Sequence, residues 1–174
     1  MKYRYKYLRR EEKAVIKLLR IDHRLIHGQV AVFWVSHTLA DTIVVASDKY
    51  ANDQLMHMTL NLGKPKNTVL VILSTSDAIS YLNDAQNARK SILLVTGTTA
   101  EALKLAKNCD ITDVNLGAMP SADGRKKIGM QFFLNEAEME DIKSIHSLGK
   151  NIYLQATTSD KKLLYNDILS IWNK

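Results

Sequence analysis

The secondary structure of this chain is easiest to recognise in residues 15–38, VIKLLRIDHRLIHGQVAVFWVSHT. Residues 15–21 form a short, mostly aliphatic run, which is typical of a buried strand. From residue 28 to residue 38 the apolar side chains recur every third or fourth position, as they do on one face of a helix. This stretch therefore predicts a strand, a loop that begins at Asp22, and a helix that begins at Gly28.

The same alternation continues along the rest of the chain. Short apolar runs predict strands over residues 42–46, 68–73, 91–95, 111–116 and 151–155. Helices are predicted over residues 50–62, 75–87, 135–148 and 160–172, with another opening at residue 98, and residues 127–134 are predicted to form an antiparallel edge strand. This order predicts an α/β fold with a single open, mostly parallel, doubly wound sheet, helices on both faces and one antiparallel edge strand.

Polar residues mark the predicted helix starts. Ser47-Asp48, Ser74, Asn135 and Ser159-Asp160 each precede a helical pattern, and Thr98 with Glu101 forms a capping-box pattern. Side chains of these types accept hydrogen bonds from the free N–H groups of the first helical turn.

Length and charge limit the organisation and the partners. The 174 residues carry a formal net charge of +6. Residues 1–14 contain six Lys or Arg and two Glu, and so account for +4 of this net charge. We expect 1–14 to be a basic extension that is disordered or not native, with translation starting at Val15, and 15–174 to be one domain. The remaining chain has a net charge close to zero, which argues against a nucleic-acid partner.

The sequence has no apolar run of transmembrane length. The single cysteine, Cys109, suits a reducing cytosol.

The loop after the first strand carries the candidate chemistry. Ligands of open α/β sheets bind beyond the carboxyl ends of the strands, and this loop brings Asp22, Arg24 and His27 to that edge. His27 directly precedes a predicted helix, whose N-terminal N–H groups attract anions. We therefore predict that His27 is a nucleophile that accepts a phosphoryl group, that Arg24 binds the phosphoryl oxygens, and that Asp22 orients the histidine or the arginine.

The predicted phosphate-binding residues are Gly28, Gln29 and Val30, through their backbone amides. A loop histidine with a purely structural role is the competing interpretation of His27. Metal binding by His23 and His27, spaced i and i+4, is disfavoured because Arg24 stands where a zinc helix would carry glutamate. The chain has neither a GxxxxGK[ST] nor a GxGxxG motif, so we expect no nucleotide, metal or other cofactor.

The run from residue 20 to residue 30, RIDHRLIHGQV, closely resembles the signature of the IIB component of the mannose/fructose/sorbose family of the phosphotransferase system. Residues 43–48 with 51–53, and 114–119 (VNLGAM), resemble further conserved stretches of that family. The resemblance extends from residue 16 to the C-terminus. His23, where the family often has aspartate, Ala118, where a second glycine is common, and the extension 1–14 depart from the pattern.

The resemblance implies a protein-Nπ-phosphohistidine–sugar phosphotransferase in the cytoplasm, peripherally associated with a membrane transporter. Such a protein takes a phosphoryl group from a phosphohistidine of a IIA partner and gives it to a sugar transported by the IIC and IID membrane subunits. By the match, His27 is the phosphorylated residue, through Nδ1, and Arg24 lies beside the phosphate.

The sequence leaves several points open. They are the sugar, the identity of the IIA partner, and whether the chain is a monomer or a homo-oligomer. Two other function classes also stay open: a regulatory module of the same fold that docks a IIA-like partner without transferring phosphate, and a nucleic-acid binder recruited by the basic extension.

Overall fold

The computed structural model describes residues 13–174, so the predicted extension lies almost wholly outside the described residues. In chain order the elements are β1 (Val15–Asp22), α1 (Gly28–Thr38), β2 (Thr42–Ala46), α2 (Gln54–Gly63), β3 (Val69–Leu73), α3 (Thr75–Asn83), a 3₁₀ turn (Ala85–Asn87), β4 (Ser91–Thr96), α4 (Thr99–Asn108), β5 (Asp113–Ala118), β6 (Lys126–Gly129), β7 (Phe132–Leu134), α5 (Glu136–Ser147), β8 (Asn151–Leu154), β9 (Leu163–Leu164) and α6 (Tyr165–Trp172).

Seven strands form one sheet in the order β3-β2-β4-β1-β5-β8-β9. Six are parallel to their neighbours, and β9 pairs with β8 in the antiparallel direction. Residues of α1 and α2 belong to the apolar cluster on one face of the sheet, with Trp34 fully buried among them. Residues of α3 to α6 belong to the cluster on the other face. The predicted α/β fold, with a mostly parallel doubly wound sheet, is confirmed.

The central strand β1 lies at the point where the winding changes direction. It is flanked by β4 and β5. The connection from β1 to β2 runs through α1 on one face of the sheet. The connection from β5 to β8 runs in the opposite direction along the sheet, through α5 on the other face. The loops after β1 and β5 therefore diverge, and a crevice opens between the carboxyl ends of these two strands. The loop with the predicted site lies at this crevice.

The predicted antiparallel edge strand over residues 127–134 is wrong in detail. This segment folds back as a hairpin, in which β6 and β7 pair in the antiparallel direction as a separate two-stranded sheet. The hairpin is attached to the end of β5, because the Met119 amide donates to the Gln131 carbonyl at 2.9 Å and the Phe133 amide donates to the Met119 carbonyl at 3.3 Å. The antiparallel edge strand of the main sheet is β9, which was predicted as part of the last helix.

Two predicted helix starts also change. Helix α2 is capped by Asp53, whose carboxylate accepts from the Met56 amide at 2.9 Å, and not by Ser47-Asp48. Asp48 instead accepts from the Thr75 amide at 2.7 Å, which lowers the pKa of this carboxyl below its ordinary value. Helix α6 begins at Tyr165, because Asp160 closes a turn with Thr157 instead of capping the helix.

Asn135 caps α5 as predicted. Its side chain accepts from the Glu138 amide at 2.9 Å, and the Glu138 carboxylate accepts from the Asn135 amide at 2.9 Å. This is a reciprocal capping box, in which two backbone donors that would otherwise lack partners are satisfied. Helix α5 packs its buried residues Met139, Ile142 and Ile145 on the sheet, so its start contributes directly to the stability of the core.

We expect the Asn135→Ala substitution to lower the free energy of unfolding by about 1 kcal/mol, since the cap is lost while the apolar core is unchanged. The measurement is the urea unfolding midpoint. Asn166→Ala is the matched control, because Asn166 lies exposed in the first turn of α6 and its side chain makes no hydrogen bond within residues 13–174. Equal midpoints for the two variants would contradict the assignment of the cap.

Candidate functional site

His27 occupies the N-cap position of α1. Its backbone is extended, with φ of −140° and ψ of 101°, and its side chain makes no capping hydrogen bond. The residue is exposed. The loop before it makes a sharp turn in which Leu25 has φ of +59°, and Gly28 just after it has φ of +43°. Positive φ is the reason for glycine at position 28, since a Cβ there would meet nothing within 4 Å.

The start of α1 offers two free amides beside His27. No acceptor within residues 13–174 receives the backbone N–H of Gly28 or Gln29. The Val30 N–H, in contrast, donates to the His27 carbonyl at 3.1 Å. Val30 was predicted to bind phosphate through this amide, and the intrahelical bond makes it unavailable. The Val30 side chain lines the cleft instead.

Asp22, at the end of β1, is fully buried between two arginines. Its Oδ2 accepts from Arg20 Nη2 at 2.8 Å and from Arg24 Nη2 at 3.2 Å, and its Oδ1 accepts from Arg24 Nε and from the Arg24 amide, both at 3.1 Å. The Arg24 side chain stays 26% exposed while the other two are buried. Of the two roles considered for Asp22, the structure supports orienting the arginine.

Arg20 is a buried site residue that the sequence analysis missed. Its guanidinium donates to Asn115 Oδ1 on β5, to the Gln155 carbonyl at 3.4 Å and to the Ala156 carbonyl at 3.0 Å after β8. It also lies 5.0 Å from the ring centroid of Trp34 on α1. Burial lowers the pKa of the Arg20 guanidinium below its ordinary value, and the Asp22 carboxylate opposes this shift.

Gly117 on β5 makes room for this guanidinium. A Cβ at position 117 would lie 2.4 Å from Arg20 Cζ and 2.5 Å from Nη2. These distances are far below contact distance, and hydrogen bonds from Nη1 and Nη2 hold the guanidinium in this position. The close approach of backbone and guanidinium therefore requires glycine at this position.

A cleft of about 440 Å³ opens above this cluster. Its lining includes Arg24 and His27 from the first loop, Met130 and Phe132 from the β6–β7 hairpin, and Thr157 and Lys161 from the segment after β8. This size is typical of ligand-binding pockets. The cleft thus joins three separate segments around one exposed imidazole.

The structure places the predicted residues where β1 is connected to α1: Asp22 at the end of β1, Arg24 and His27 in the loop, and Gly28 and Gln29 at the start of α1. His23, from the same loop, places Nδ1 3.2 Å from the Ala118 carbonyl. Sequence reasoning missed Arg20, Asn115 and the hairpin. The available signals were an arginine within the apolar run of β1 and an asparagine within that of β5, because a polar residue in a buried strand needs partners.

Two further features bear on the class of protein. Within residues 13–174, no group of three or more His, Cys, Asp or Glu side chains is arranged to hold a metal ion. No helix of the same region has the length and apolar character needed to cross a membrane.

Comparison with known proteins gives consistent results. The family described as PTS system sorbose subfamily IIB component matches residues 16–174. The N-acetylgalactosamine-specific phosphotransferase enzyme IIB component 1 of Escherichia coli K12 is 30% identical over 149 residues, which cover 84% of this chain and 94% of that protein. The mannose-specific EIIAB component of Escherichia coli K12 is 29% identical over 157 residues, and these cover 90% of this chain but only 49% of that protein.

The fold is also similar to that of solved structures. The crystal structure of the IIBSor domain of the sorbose permease from Klebsiella pneumoniae matches with a TM-score of 0.85 and 24% identity, over 90% of this chain and 96% of that one. At this identity the likeness concerns the fold.

The clash at Gly117 yields a stability prediction. We expect Gly117→Ala to lower the free energy of unfolding by about 1–3 kcal/mol, because the added methyl group displaces a buried, hydrogen-bonded guanidinium. Gly97→Ala is the matched control, since its Cβ would meet only Leu25 Cδ2, at an ordinary 3.6 Å. Urea unfolding of both variants provides the measurement. A Gly117→Ala protein as stable as Gly97→Ala would show that the guanidinium can move aside freely.

Proposed function

Because the chain belongs to the sorbose subfamily of phosphotransferase-system IIB components, we propose that His27 is its phosphorylated residue and accepts the group from a phosphohistidine of a IIA partner. The group then passes to a sugar brought by IIC and IID membrane subunits. The observation that carries this proposal is the position of His27, an exposed imidazole at the N-terminus of α1 in the same cleft as Arg24.

Two transfers through one imidazole make up the mechanism. In the first, a ring nitrogen of His27, Nδ1 by family resemblance, forms a P–N bond as the P–N bond of the donor phosphohistidine breaks. The donor ring leaves with the electron pair of that bond, and His27 keeps the phosphoryl group. In the second, a sugar hydroxyl oxygen forms the new P–O bond as the P–N bond to His27 breaks. The imidazole regains the electron pair of that bond and takes up the hydroxyl proton, directly or through water.

The protein's part in both steps is positioning and charge stabilisation, which suffice for phosphoryl transfer. The free amides of Gly28 and Gln29 and the helix N-terminus provide donors for the phosphoryl oxygens. Arg24 adds a cation whose direction is fixed by the Asp22 carboxylate. No metal or nucleotide takes part in the proposed steps.

The proposed partners follow from the relatives. The chain spans about half of the mannose-specific EIIAB component, which fits a IIA partner that is either a separate protein or a fused domain. The sugars in the names of the relatives are N-acetylgalactosamine, mannose and sorbose, and this variety gives no basis for assigning one sugar here. The proposed place of action is the cytoplasmic side of the membrane, beside the transporter.

We expect the wild-type protein to take an acid-labile, base-stable label from labelled phosphoenolpyruvate in the presence of the general phosphotransferase proteins and IIA. His27→Ala removes the only nucleophile proposed, so the label should be absent from that variant. His23→Ala is the matched control, because His23 lies in the same loop, is also exposed, and should leave labelling intact.

The opposite pattern, with label kept in His27→Ala and lost in His23→Ala, would exclude His27 from the role. A wild-type protein that binds IIA but takes no label would favour the regulatory module that docks without transfer.

Arg24 gives a prediction about rate. Replacing it by methionine removes the cation beside the phosphoryl group while keeping the length of the side chain, so we expect phosphorylation of His27 to slow by about 10–100-fold. Arg89→Met is the control, since Arg89 is exposed just before β4, at the opposite end of the sheet. The measurement is the initial rate of label incorporation. Equal rates for the two variants would argue against a role for Arg24.

A further inference from the structure

The segment after β8 is a rigid wall of the cleft. It comprises residues 155–161, here called the 155–161 loop, and has no regular secondary structure. Its side chains bond within the loop itself. The Asp160 carboxylate accepts from the Thr157 amide at 2.7 Å and from the Thr157 hydroxyl at 2.8 Å. Gln155 Nε2 donates to the Asp160 carbonyl at 2.8 Å.

The loop is also fixed to the sheet and to α1. The Gln155 amide donates to the Leu116 carbonyl at 3.1 Å, and the Gln155 carbonyl accepts from Asn115 Nδ2 at 3.0 Å. The Ala156 carbonyl accepts from Arg20 Nη2 at 3.0 Å and from Trp34 Nε1 at 3.3 Å. Irregular loops held this firmly are where binding residues concentrate, because a rigid scaffold positions them at low entropic cost.

Lys161 is the cation that this loop adds to the cleft. Its side chain is exposed, lines the cleft with His27 and Arg24, and forms no ion pair within residues 13–174. The carboxylate of its neighbour Asp160 accepts two hydrogen bonds from Thr157 at Oδ2 and forms no ion pair with Lys161. Lys161 is therefore free to bind an anion that enters the cleft.

The charges around the cleft show why this cation matters. The charged side chains Arg24, Lys161 and Asp160 line the cleft, and the charges of the buried Arg20–Asp22 pair behind them cancel, which gives a formal charge of +1. Without Lys161 the same group would be neutral. A phosphoryl group brings a charge of about −1.5 to −2 at neutral pH. The positive charge of Lys161 therefore makes the net charge of the cleft attractive to this group instead of neutral.

We propose that Lys161 binds the phosphoryl group on His27, opposite Arg24, as a second cationic ligand that the 155–161 loop contributes. This inference rests on the proposed function of His27 and adds a binding residue from a segment more than 130 residues further along the chain. The group itself is the ligand, whether it comes from a partner protein or from a small phosphoryl donor.

The adjacent lysine provides a matched control. Lys162 points to a different surface, where its Nζ lies 3.9 Å from the ring centroid of Tyr153. Lys162 lines separate cavities with Asp113 and Tyr153, not the cleft of His27. A change that depends on position 161 but not on position 162 therefore cannot come from net charge alone.

The test compares Lys161→Met, Lys161→Arg and Lys162→Met in the full chain, with two phosphoryl donors. One donor is phospho-IIA, and the other is phosphoramidate, which has no protein surface. With phosphoramidate, a ring nitrogen of His27 forms the new P–N bond, the old P–N bond breaks, and ammonia leaves. We expect Lys161→Met to slow labelling about three- to tenfold with both donors, whereas Lys161→Arg and Lys162→Met stay within about twofold of the wild type.

Two results would overturn the inference. Slower labelling of Lys161→Met with phospho-IIA alone would mean that the lysine contacts the surface of the donor protein and not the phosphoryl group. Wild-type rates with both donors would mean that it contacts neither. His27→Ala, measured in parallel, separates this question from the proposed function: label that persists in that variant refutes the role of His27, whereas label lost there with normal Lys161→Met rates refutes only the role of Lys161.

Discussion

The hydrogen-bonded burial of the Arg20 guanidinium is the constraint on which the site depends. A buried cation is costly unless every donor has a partner, and here the partners come from four separate segments. They are Asp22 at the end of β1, Asn115 on β5, the carbonyls of Gln155 and Ala156 after β8, and the ring of Trp34 on α1. Gly117 leaves space for the group. Satisfying one arginine therefore fixes the mutual positions of the segments that surround His27.

In this arrangement the residues that hold the site together, Arg20 and Asp22, are different from the exposed His27. Asp22 and Arg20 are buried and hydrogen-bonded, and neither reaches the cleft directly. Asp22 fixes the position of the partly exposed Arg24. Arg20 fixes the 155–161 loop through the backbone carbonyls of Gln155 and Ala156. His27 itself is left without a side-chain cap, at the surface, on a helix start whose first two amides are free. The proposed transfer role of His27 needs this accessibility, while the residues around it need to be in place beforehand.

Local sequence patterns predicted the parts of the structure that local physics determines. The limits of α1 and β2 follow from apolar periodicity and agree with the predicted ranges 28–38 and 42–46. The hairpin was missed because its turn, Met130-Gln131, has none of the glycine or asparagine that marks tight turns. Strand β9 has two residues and leaves no periodic pattern. The hydrogen-bond partners of Arg20 other than Asp22 lie 95 to 136 residues away. The polarity of Arg20 within an apolar strand could therefore have indicated a buried polar cluster, but not the residues that complete it.

In the proposed function, the site must bind the phosphoryl group without binding it too tightly for release, and the exposure of Arg24 and Lys161 is suited to this. Ion pairs near the surface are screened by water and salt and contribute about 0–1 kcal/mol each, in contrast to fully buried pairs. Arg24 keeps a quarter of its side chain exposed, and Lys161 is exposed. The most buried cation of the site, Arg20, lies behind Asp22 and cannot reach the cleft without breaking its own hydrogen bonds. The group on His27 would therefore be oriented by several weak contacts, so that each can be released when the acceptor arrives.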